Sequence, residues 1–409
     1  MTSIRTLDAL ISRPDIQGLR VLVRADLNVP LTADGIIRDA TRIERLLPTF
    51  QKLCKAGAKV AVLSHFGRPK GVHNEAMSLG PISNALAGLL DQPVGFSADC
   101  IGPTAAAAMD ALSPGNLLVM ENTRFHPGEE TNEAGFAAAL ATNGDAFVND
   151  AFSAAHRAHA STEALAGLLP AYAGLAMQAE LDAINNALEQ PERPLMAVVG
   201  GAKVSTKLAL LSNLVDKVDK LVIGGGMANT FLAARGETIG RSLCEDTMLE
   251  TARDILAKAA NGSCDIILPA DVVMAPDFGS CDTPAYAMAD NVPDDMMILD
   301  AGPEAVASIK NHMSDCKTLV WNGPLGAFEL TPFDAGTNDA ARHAAALTRS
   351  GKLTSVAGGG DTVAALKHAG ASDGFTYVST AGGAFLEWLE GKTLPGVKAL
   401  ENSAKAVNL

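Results

Sequence analysis

Aromatic residues are scarce: Phe, Trp and Tyr together make up 4% of the 409 residues. A core built from this chain has to be filled mostly by Ala, Val, Leu and Ile. The six cysteines (Cys54, Cys100, Cys244, Cys264, Cys281, Cys316) are scattered, with no CxxC pair and no histidine cluster beside them. Reduced thiols in a cytosol are expected, rather than disulfides or a structural zinc site. No run reaches the roughly 18 apolar residues of a membrane span. The opening MTSIRTLDAL has neither a long apolar stretch nor a cleavage site, so no targeting segment and a cytoplasmic location are expected. Positive charge is in deficit, 32 Lys and Arg against 46 Asp and Glu, for a net charge of −14. That argues against general nucleic-acid or membrane binding, while a local basic cluster could still meet an anionic substrate. A Walker A loop is also missing, as is a complete dinucleotide fingerprint: GGGMAN (Gly224–Asn229) lacks the third glycine. No Ser-His-Asp or Cys-His arrangement stands out.

What is present is a repeated strand–helix rhythm. Apolar runs at Arg20–Val23, Lys59–Leu63, Leu117–Met120 and Ala146–Val148 lead into RADLN, SHFGRPKG, ENTRFHPGEE and NDAFSAAHRAHAS. Continuous apolar runs separated by helices predict buried parallel strands. Thr41–Ala56 has helical spacing, with Pro48 predicting a kink or a late start. Ala176–Glu189 reads as one long helix, and PERP (Pro191–Pro194) beyond it reads as the domain junction. The second half repeats the rhythm. Leu195–Val199 leads to GGAKVSTK, Leu221–Ile223 to GGGMAN, Asp265–Leu268 to PAD, Thr318–Val320 to WNGPLGAFE, Leu353–Val356 to AGGGDT, and Phe375–Val378 to STAGGA. At this length, two α/β domains are expected, each an open parallel sheet wrapped by helices. Ligands in such sheets bind beyond the carboxyl ends of the strands, which makes the quoted segments the candidate site.

The first half gathers Arg24, Arg68, Arg124 and Arg157 at strand ends, with Arg42 opening a helix and His65, His156 and His159 among them. Guanidinium forks match carboxylate and phosphate oxygens, so this half suits a small acid carrying a phosphate. Arg24 is the weakest member, because Asp26 is an internal partner within reach. In the second half the glycines of Gly358–Gly360 allow a bulky anion close to the backbone, ahead of a helix whose first N–H groups suit phosphate. Asp361 stands at the N-cap position and could hold a divalent cation. Lys203 and Lys207, four apart, would share a face on one helix, with a phosphate chain between them. Glu329 could accept from a ribose hydroxyl. A phosphorylated acid on one side and a nucleotide with one metal on the other imply phosphoryl transfer, which needs positioning and charge neutralisation rather than a nucleophilic side chain.

RADLNVP, SHFGRPKG, ENTRFHPGEE, AFSAAHRAHAS, GGAKVSTK, WNGPLGAFE and AGGGDT, in this order from Arg20 to about Lys392, closely resemble the phosphoglycerate kinase family. The resemblance implies two Rossmann-like lobes, each a mostly parallel sheet wrapped by helices, joined by a helical hinge, in a cytoplasmic monomer. It implies residues 1–174 as the 3-phosphoglycerate lobe, 175–190 as a linker helix and 191–392 as the nucleotide lobe, with the tail 393–409 packing back on the first. The implied reaction is reversible transfer of the acyl phosphate of 1,3-bisphosphoglycerate to Mg-ADP across an interdomain cleft, in glycolysis, gluconeogenesis or carbon fixation. The residues matching the family's substrate site are Asp26, Leu27, Asn28, Arg42, His65, Phe66, Gly67, Arg68, Arg124 and Arg157. Those matching its nucleotide site are Lys207, Glu329, Gly359, Gly360, Asp361 and Thr362, with Asp361 as the Mg2+ ligand. Arg42 and Lys203 match the positions that the family sets beside the transferring phosphoryl. The chain departs from the family pattern at Ala381 in a usually all-glycine turn, at Ser153 and Ala154 where Gly and Thr are common, and at Ala327 where Val is usual. None of these departures removes a charge.

Overall fold

The computed structural model describes residues 4–30, 32, 37–279 and 284–406. Cys281 lies outside the described residues, and the other five cysteines are free thiols. The chain divides into two compact units, residues 1–181 with 393–409, and residues 182–392. The division falls inside the helix Leu175–Ile184, upstream of the Pro191–Pro194 punctuation. Both ends of this helical segment are tied down. Leu175 N–H donates to Thr49 Oγ1 at 3.0 Å and Met177 N–H to Asp150 Oδ1 at 2.9 Å, while the wider turn Asn185–Glu189 packs on strands of the second unit. Proline breaks the segment only after it has reached that second core.

The first unit is built on a parallel sheet: β1 (Arg20–Arg24), β2 (Lys59–Leu63), β3 (Val94–Ser97), β4 (Leu117–Met120), β5 (Ala146–Asn149) and β6 (Ala171–Ala173), in the spatial order β3-β4-β2-β1-β5-β6. β1, β4 and β5 are four to five residues of nearly continuous burial, as strands covered on both faces must be. β3 and β6 have no such runs and did not stand out in the sequence. The predicted helix over 41–56 is two pieces, Thr41–Glu44 and Leu47–Lys55. Pro48 sits in the first turn of the second, where its missing N–H costs nothing. The helix Pro395–Ala406 packs against β6 and the segment 160–168. Arg5 holds it by donating to Ser403 Oγ at 2.7 Å and to the Ser403 carbonyl at 3.0 Å. The cluster that packs Leu7, Leu10 and the helix Leu47–Lys55 against the sheet is aliphatic apart from Phe50 and Tyr172, and Phe136, Phe147 and Phe152 are buried elsewhere in the unit.

The second unit has a matching parallel sheet: β7 (Leu195–Val199), β8 (Lys220–Ile223), β9 (Asp265–Ile267), β13 (Thr318–Asn322), β14 (Thr354–Gly358) and β15 (Tyr377–Ser379), in the order β15-β14-β13-β7-β8-β9. Between β9 and β13 the chain makes an antiparallel sheet of β10 (Asp271–Ala275), β11 (Ala285–Met288) and β12 (Met297–Ala301) that the sequence rhythm did not reveal. Alanines of the helix Ala335–Arg349 fill the space beside Trp321, which is how so few aromatics suffice. Among the described residues no helix is long and apolar enough to cross a membrane.

Asp150, just past β5, is 2% exposed, and burial pushes its carboxyl up from 3.8 to about 6. The folded state therefore holds this proton more tightly than the unfolded chain. The resulting stabilisation is full below pH 3.8 and disappears as pH rises through 6, a swing of about 3 kcal/mol. Asp150→Asn keeps an acceptor for Met177 N–H and removes the charge. Relative to the parent, it gains stability between pH 4 and pH 8, read as a growing difference in urea midpoint by circular dichroism. Both tryptophans, Trp321 and Trp388, lie in the second unit, so their fluorescence would miss the effect.

Candidate functional site

In the first unit the middle strands β4, β2, β1 and β5 are neighbours. Being parallel, they deliver their following segments to one edge of the sheet. Asp26, 7% exposed, accepts from Asn28 N–H at 3.1 Å, from the Ser153 hydroxyl, and from Arg42 Nη1 at 3.3 Å. Ser153, one of the departures from the family pattern, thus supplies its own hydroxyl to this carboxylate. Arg42 also donates to the Asn28 carbonyl at 3.1 Å, and its side chain stays 42% exposed. Asn28 Oδ1 accepts from Gly67 N–H at 3.1 Å. Leu27 is buried, with its N–H on Ser64 Oγ at 2.9 Å.

A residue not singled out in the sequence, Asn122, locks two of these loops together. Its buried side chain accepts from Phe66 N–H and Arg124 N–H, both at 3.1 Å, and donates to the carbonyls of Phe66 at 2.7 Å and Met77 at 3.0 Å. Arg124 is 4% exposed, donates to the Gly67 carbonyl at 2.9 Å and lies 3.1 Å from Glu130. Gly67 takes φ +62°, and a Cβ there would lie 2.9 Å from Met77 Sδ. Arg157 is half-buried, with Nε 3.1 Å from His156 Nε2. Arg68 is exposed and makes no ion pair with another described residue.

The electrostatics bring these groups into one field. His65 is pushed well below its ordinary 6.5, first by burial and then by Arg24, Arg124, Arg157 and His159. His159 is pushed down to about 4 by burial and by Arg124, Arg24 and Arg157. Burial first, and the neighbouring arginines second, keep both imidazoles neutral at pH 7. The arginine share of that shift marks a positive field, which favours an arriving polyanion.

The second unit holds a cleft of about 300 Å³ at the carboxyl edge of its parallel sheet. It is lined by glycine turns at Gly201 and Gly225–Gly226, by Pro324–Glu329 and by Asp361. Gly358 closes β14, and Gly359 turns the chain at φ +102° into the helix Gly360–His368. The cap falls at Gly359, two residues earlier than expected, so Asp361 is exposed in the first helical turn instead of capping it. The backbone N–H groups of Gly360, Asp361 and Thr362 precede the first intrahelical bond, which Val363 makes to the Gly359 carbonyl. Thr362 is 2% exposed, and its hydroxyl accepts from Gly323 N–H at 2.7 Å. Gly359→Ala would force a positive φ on alanine and bring Cβ to 2.7 Å from Asn322 Nδ2. The variant loses about 1–3 kcal/mol of stability, measurable as a lower urea midpoint by tryptophan fluorescence.

Lys203 and Lys207 do not share a helix, contrary to the sequence reading. The helix begins at Leu208, and Lys207 is its N-cap. The Gly200–Gly201 turn and the bends after it keep the chain irregular through Lys203. Lys203 is exposed, while Lys207 Nζ donates to Asn322 Oδ1 and burial pushes its ammonium down. Asn322, also not singled out in the sequence, is 2% exposed and donates to the Gly358 carbonyl at 2.7 Å. It therefore ties Lys207 to the glycine turn. Glu329 is exposed at the cleft. Ala381 is 7% exposed with its N–H on Ser379 Oγ at 3.1 Å.

Asp361 fits a divalent cation. It is an exposed carboxylate lining the cleft beside free helix N–H groups that suit phosphate, and Mg2+ takes one or two carboxylates together with phosphate oxygens. Asp99, Cys100 and His126 also have metal-ligand composition. There Asp99 Oδ1 already accepts from Cys100 N–H at 2.7 Å and Ile101 N–H at 3.2 Å and pairs with His126 Nε2 at 2.8 Å. Burial pushes the Cys100 thiol up, away from the thiolate a metal needs.

The family model described as phosphoglycerate kinase matches residues 11–392. The chain is 60% identical to the phosphoglycerate kinase of Methylobacterium radiotolerans, with 98% of this chain and 99% of the relative covered. It is 60% identical to that of Brucella abortus, over 97% and 99%. Among solved structures, the phosphoglycerate kinase of Coxiella burnetii superposes with a TM-score of 0.89 at 42% identity, over 96% of this chain and 98% of that one. That of Pyrococcus horikoshii gives 0.80 at 28% identity, over 98% and 100%. On this evidence the chain belongs to the phosphoglycerate kinase family.

Proposed function

We infer that the chain catalyses reversible transfer of the acyl phosphate of 1,3-bisphosphoglycerate to ADP, giving 3-phosphoglycerate and ATP. The observation that carries the assignment of ligands to units is the contrast between them. One has a crowd of arginines and neutral histidines at a sheet edge, and the other has glycine turns, a helix N-terminus, Lys207 and Asp361 around a cleft.

In this reading Asp26, Asn28, Arg42, His65, Arg68, Arg124 and Arg157 bind the three-carbon acid, with Leu27, Phe66 and Gly67 shaping the backbone around it. Gly359–Thr362 offer N–H groups to the nucleotide phosphates, Lys207 neutralises them, and Glu329 accepts from the ribose. Asp361 is the residue that would hold Mg2+, which supplies charge neutralisation on the phosphate chain when bound. Arg42 and Lys203 act on the moving phosphoryl. Its charge is spread over equatorial oxygens in the transition state, and fixed cations stabilise that charge without reorganising. No side chain forms a covalent intermediate, so donor and acceptor oxygens exchange the group in line. We further propose a cytoplasmic monomer with Mg2+ as cofactor, small-molecule partners only, and no nucleic-acid or membrane partner, in keeping with the net charge of −14.

The test is ligand-dependent melting. A ligand that binds only the folded state raises the melting temperature by mass action. Mg-ADP and 3-phosphoglycerate should each raise it and NAD should not. A shift with NAD alone would overturn the reading in favour of a dinucleotide enzyme.

A further inference from the structure

Arg24 is wholly buried at the end of β1, beneath the proposed substrate residues. Its guanidinium has no contact role with substrate open to it, yet every one of its nitrogens is committed. Nε donates to Ser161 Oγ at 2.9 Å, Nη1 to the Ala25 carbonyl, and Nη2 lies 2.9 Å from His65 Nδ1. Ser161 in turn donates its hydroxyl to Glu129 Oε1 at 2.6 Å and its N–H to Glu129 Oε2 at 3.0 Å.

The directions of these bonds are fixed by chemistry. A carboxylate only accepts, so the Ser161 proton points at Glu129, and Ser161 accepts from Arg24. Guanidinium only donates, so His65 Nδ1 must accept and carries no proton. A neutral imidazole with a bare Nδ1 carries its hydrogen on Nε2. That nitrogen makes no hydrogen bond to another described residue. Burial keeps the ring from charging, and the positive charges of Arg24, Arg124 and Arg157 add to that.

We propose that Arg24 is a positioning residue that fixes His65 as the Nε2–H tautomer, making it a hydrogen-bond donor to an anionic oxygen of the three-carbon acid. The relay Glu129–Ser161–Arg24–His65 sets the proton on the ring from a carboxylate buried behind the site. The donor role rests on the assignment of the acid to the first unit, while the tautomer does not.

The experiment is nitrogen-15 NMR of the histidine rings at pH 7, with the His65 signals identified by their loss in His65→Gln. Nε2 couples to both ring carbon-bound protons and Nδ1 to one, so the nitrogens are distinguishable. The expected spectrum has a pyrrole-like Nε2 and a pyridine-like Nδ1, with Nε2 moving on addition of 3-phosphoglycerate. A pyrrole-like Nδ1, or an imidazolium, would overturn the Arg24 assignment. The expected tautomer without an Nε2 response would instead overturn the donor role and its substrate reading. Arg24→Met should release the tautomer to a mixture and raise KM for 3-phosphoglycerate roughly tenfold or more, as expected for loss of a hydrogen bond to a charged group, with kcat changed far less. Should that variant fail to fold, the parent spectrum alone decides.

Discussion

Arg42→Ala lowers turnover by roughly 10²–10³-fold, the usual consequence of deleting one donor aimed at transition-state charge, about 2.7–4 kcal/mol. The competing account is that Arg42 is merely the surface partner of Asp26, at 3.3 Å. A half-exposed pair of that kind contributes about 0–1 kcal/mol, and to stability rather than to rate. The two accounts separate cleanly. Asp26 keeps Ser153 and Asn28 N–H as partners when Arg42 is gone, so the loop survives and the melting temperature hardly moves. The measurement is kcat at saturating ATP and 3-phosphoglycerate beside a thermal melt. An unchanged kcat would remove Arg42 from the machinery. Lys203 carries the same expectation from the nucleotide side, and being exposed it too can be truncated without unfolding anything.

Asp361→Ala lowers kcat/KM for the magnesium nucleotide by roughly 10²-fold or more, the several kcal/mol that a bound cation contributes at a transferring phosphoryl. The diagnostic lies in the metal dependence. With the carboxylate present, ADP stabilises the fold more in magnesium than in EDTA. In the variant the two conditions converge, and metal-free ADP binds no worse because a negative charge beside its phosphates has gone. Loss of an acidic residue from a helix first turn costs only about 0.3–1 kcal/mol of stability, so a large fall in melting temperature would point to a structural role instead. Retention of the magnesium effect on ADP binding would place the metal on other residues.

The legibility of this chain follows its chemistry. β1, β4 and β5 showed in the sequence because strands buried on both faces need unbroken apolar runs, and their charged or glycine-rich sequels marked the sheet edge of the candidate site. β3, with Gly95 inside it, and β6, only three residues long and preceded by Pro170, are edge strands and have no such signature. The antiparallel trio β10–β12 was hidden because the strand–helix rhythm breaks there. Arginines and glycines announced themselves by type and position. Asn122 and Asn322 did not, since a lone asparagine in a loop looks like turn chemistry until its partners are known. The same holds for Asp300, 2% exposed at the cleft and pushed up to about 7 by burial. Lys203 and Lys207 misled because spacing of four implies a helix only if the helix has begun, and it begins at Leu208. Arg24 looked like the weakest site arginine from its neighbour Asp26. Its true partners, Ser161 and His65, are distant in sequence and reach it only through the fold.

The most direct test of the central claim is the back reaction, with ATP, Mg2+ and 3-phosphoglycerate supplied together and the acyl phosphate consumed by a dehydrogenase, followed as NADH loss. The account predicts turnover that requires all three components and that collapses in Asp361→Ala. No NADH loss from a folded protein that still shows thermal shifts with Mg-ADP and 3-phosphoglycerate would contradict it. The chain would then bind both ligands without joining them, and Ala381→Gly would show whether the methyl in that turn is the obstacle.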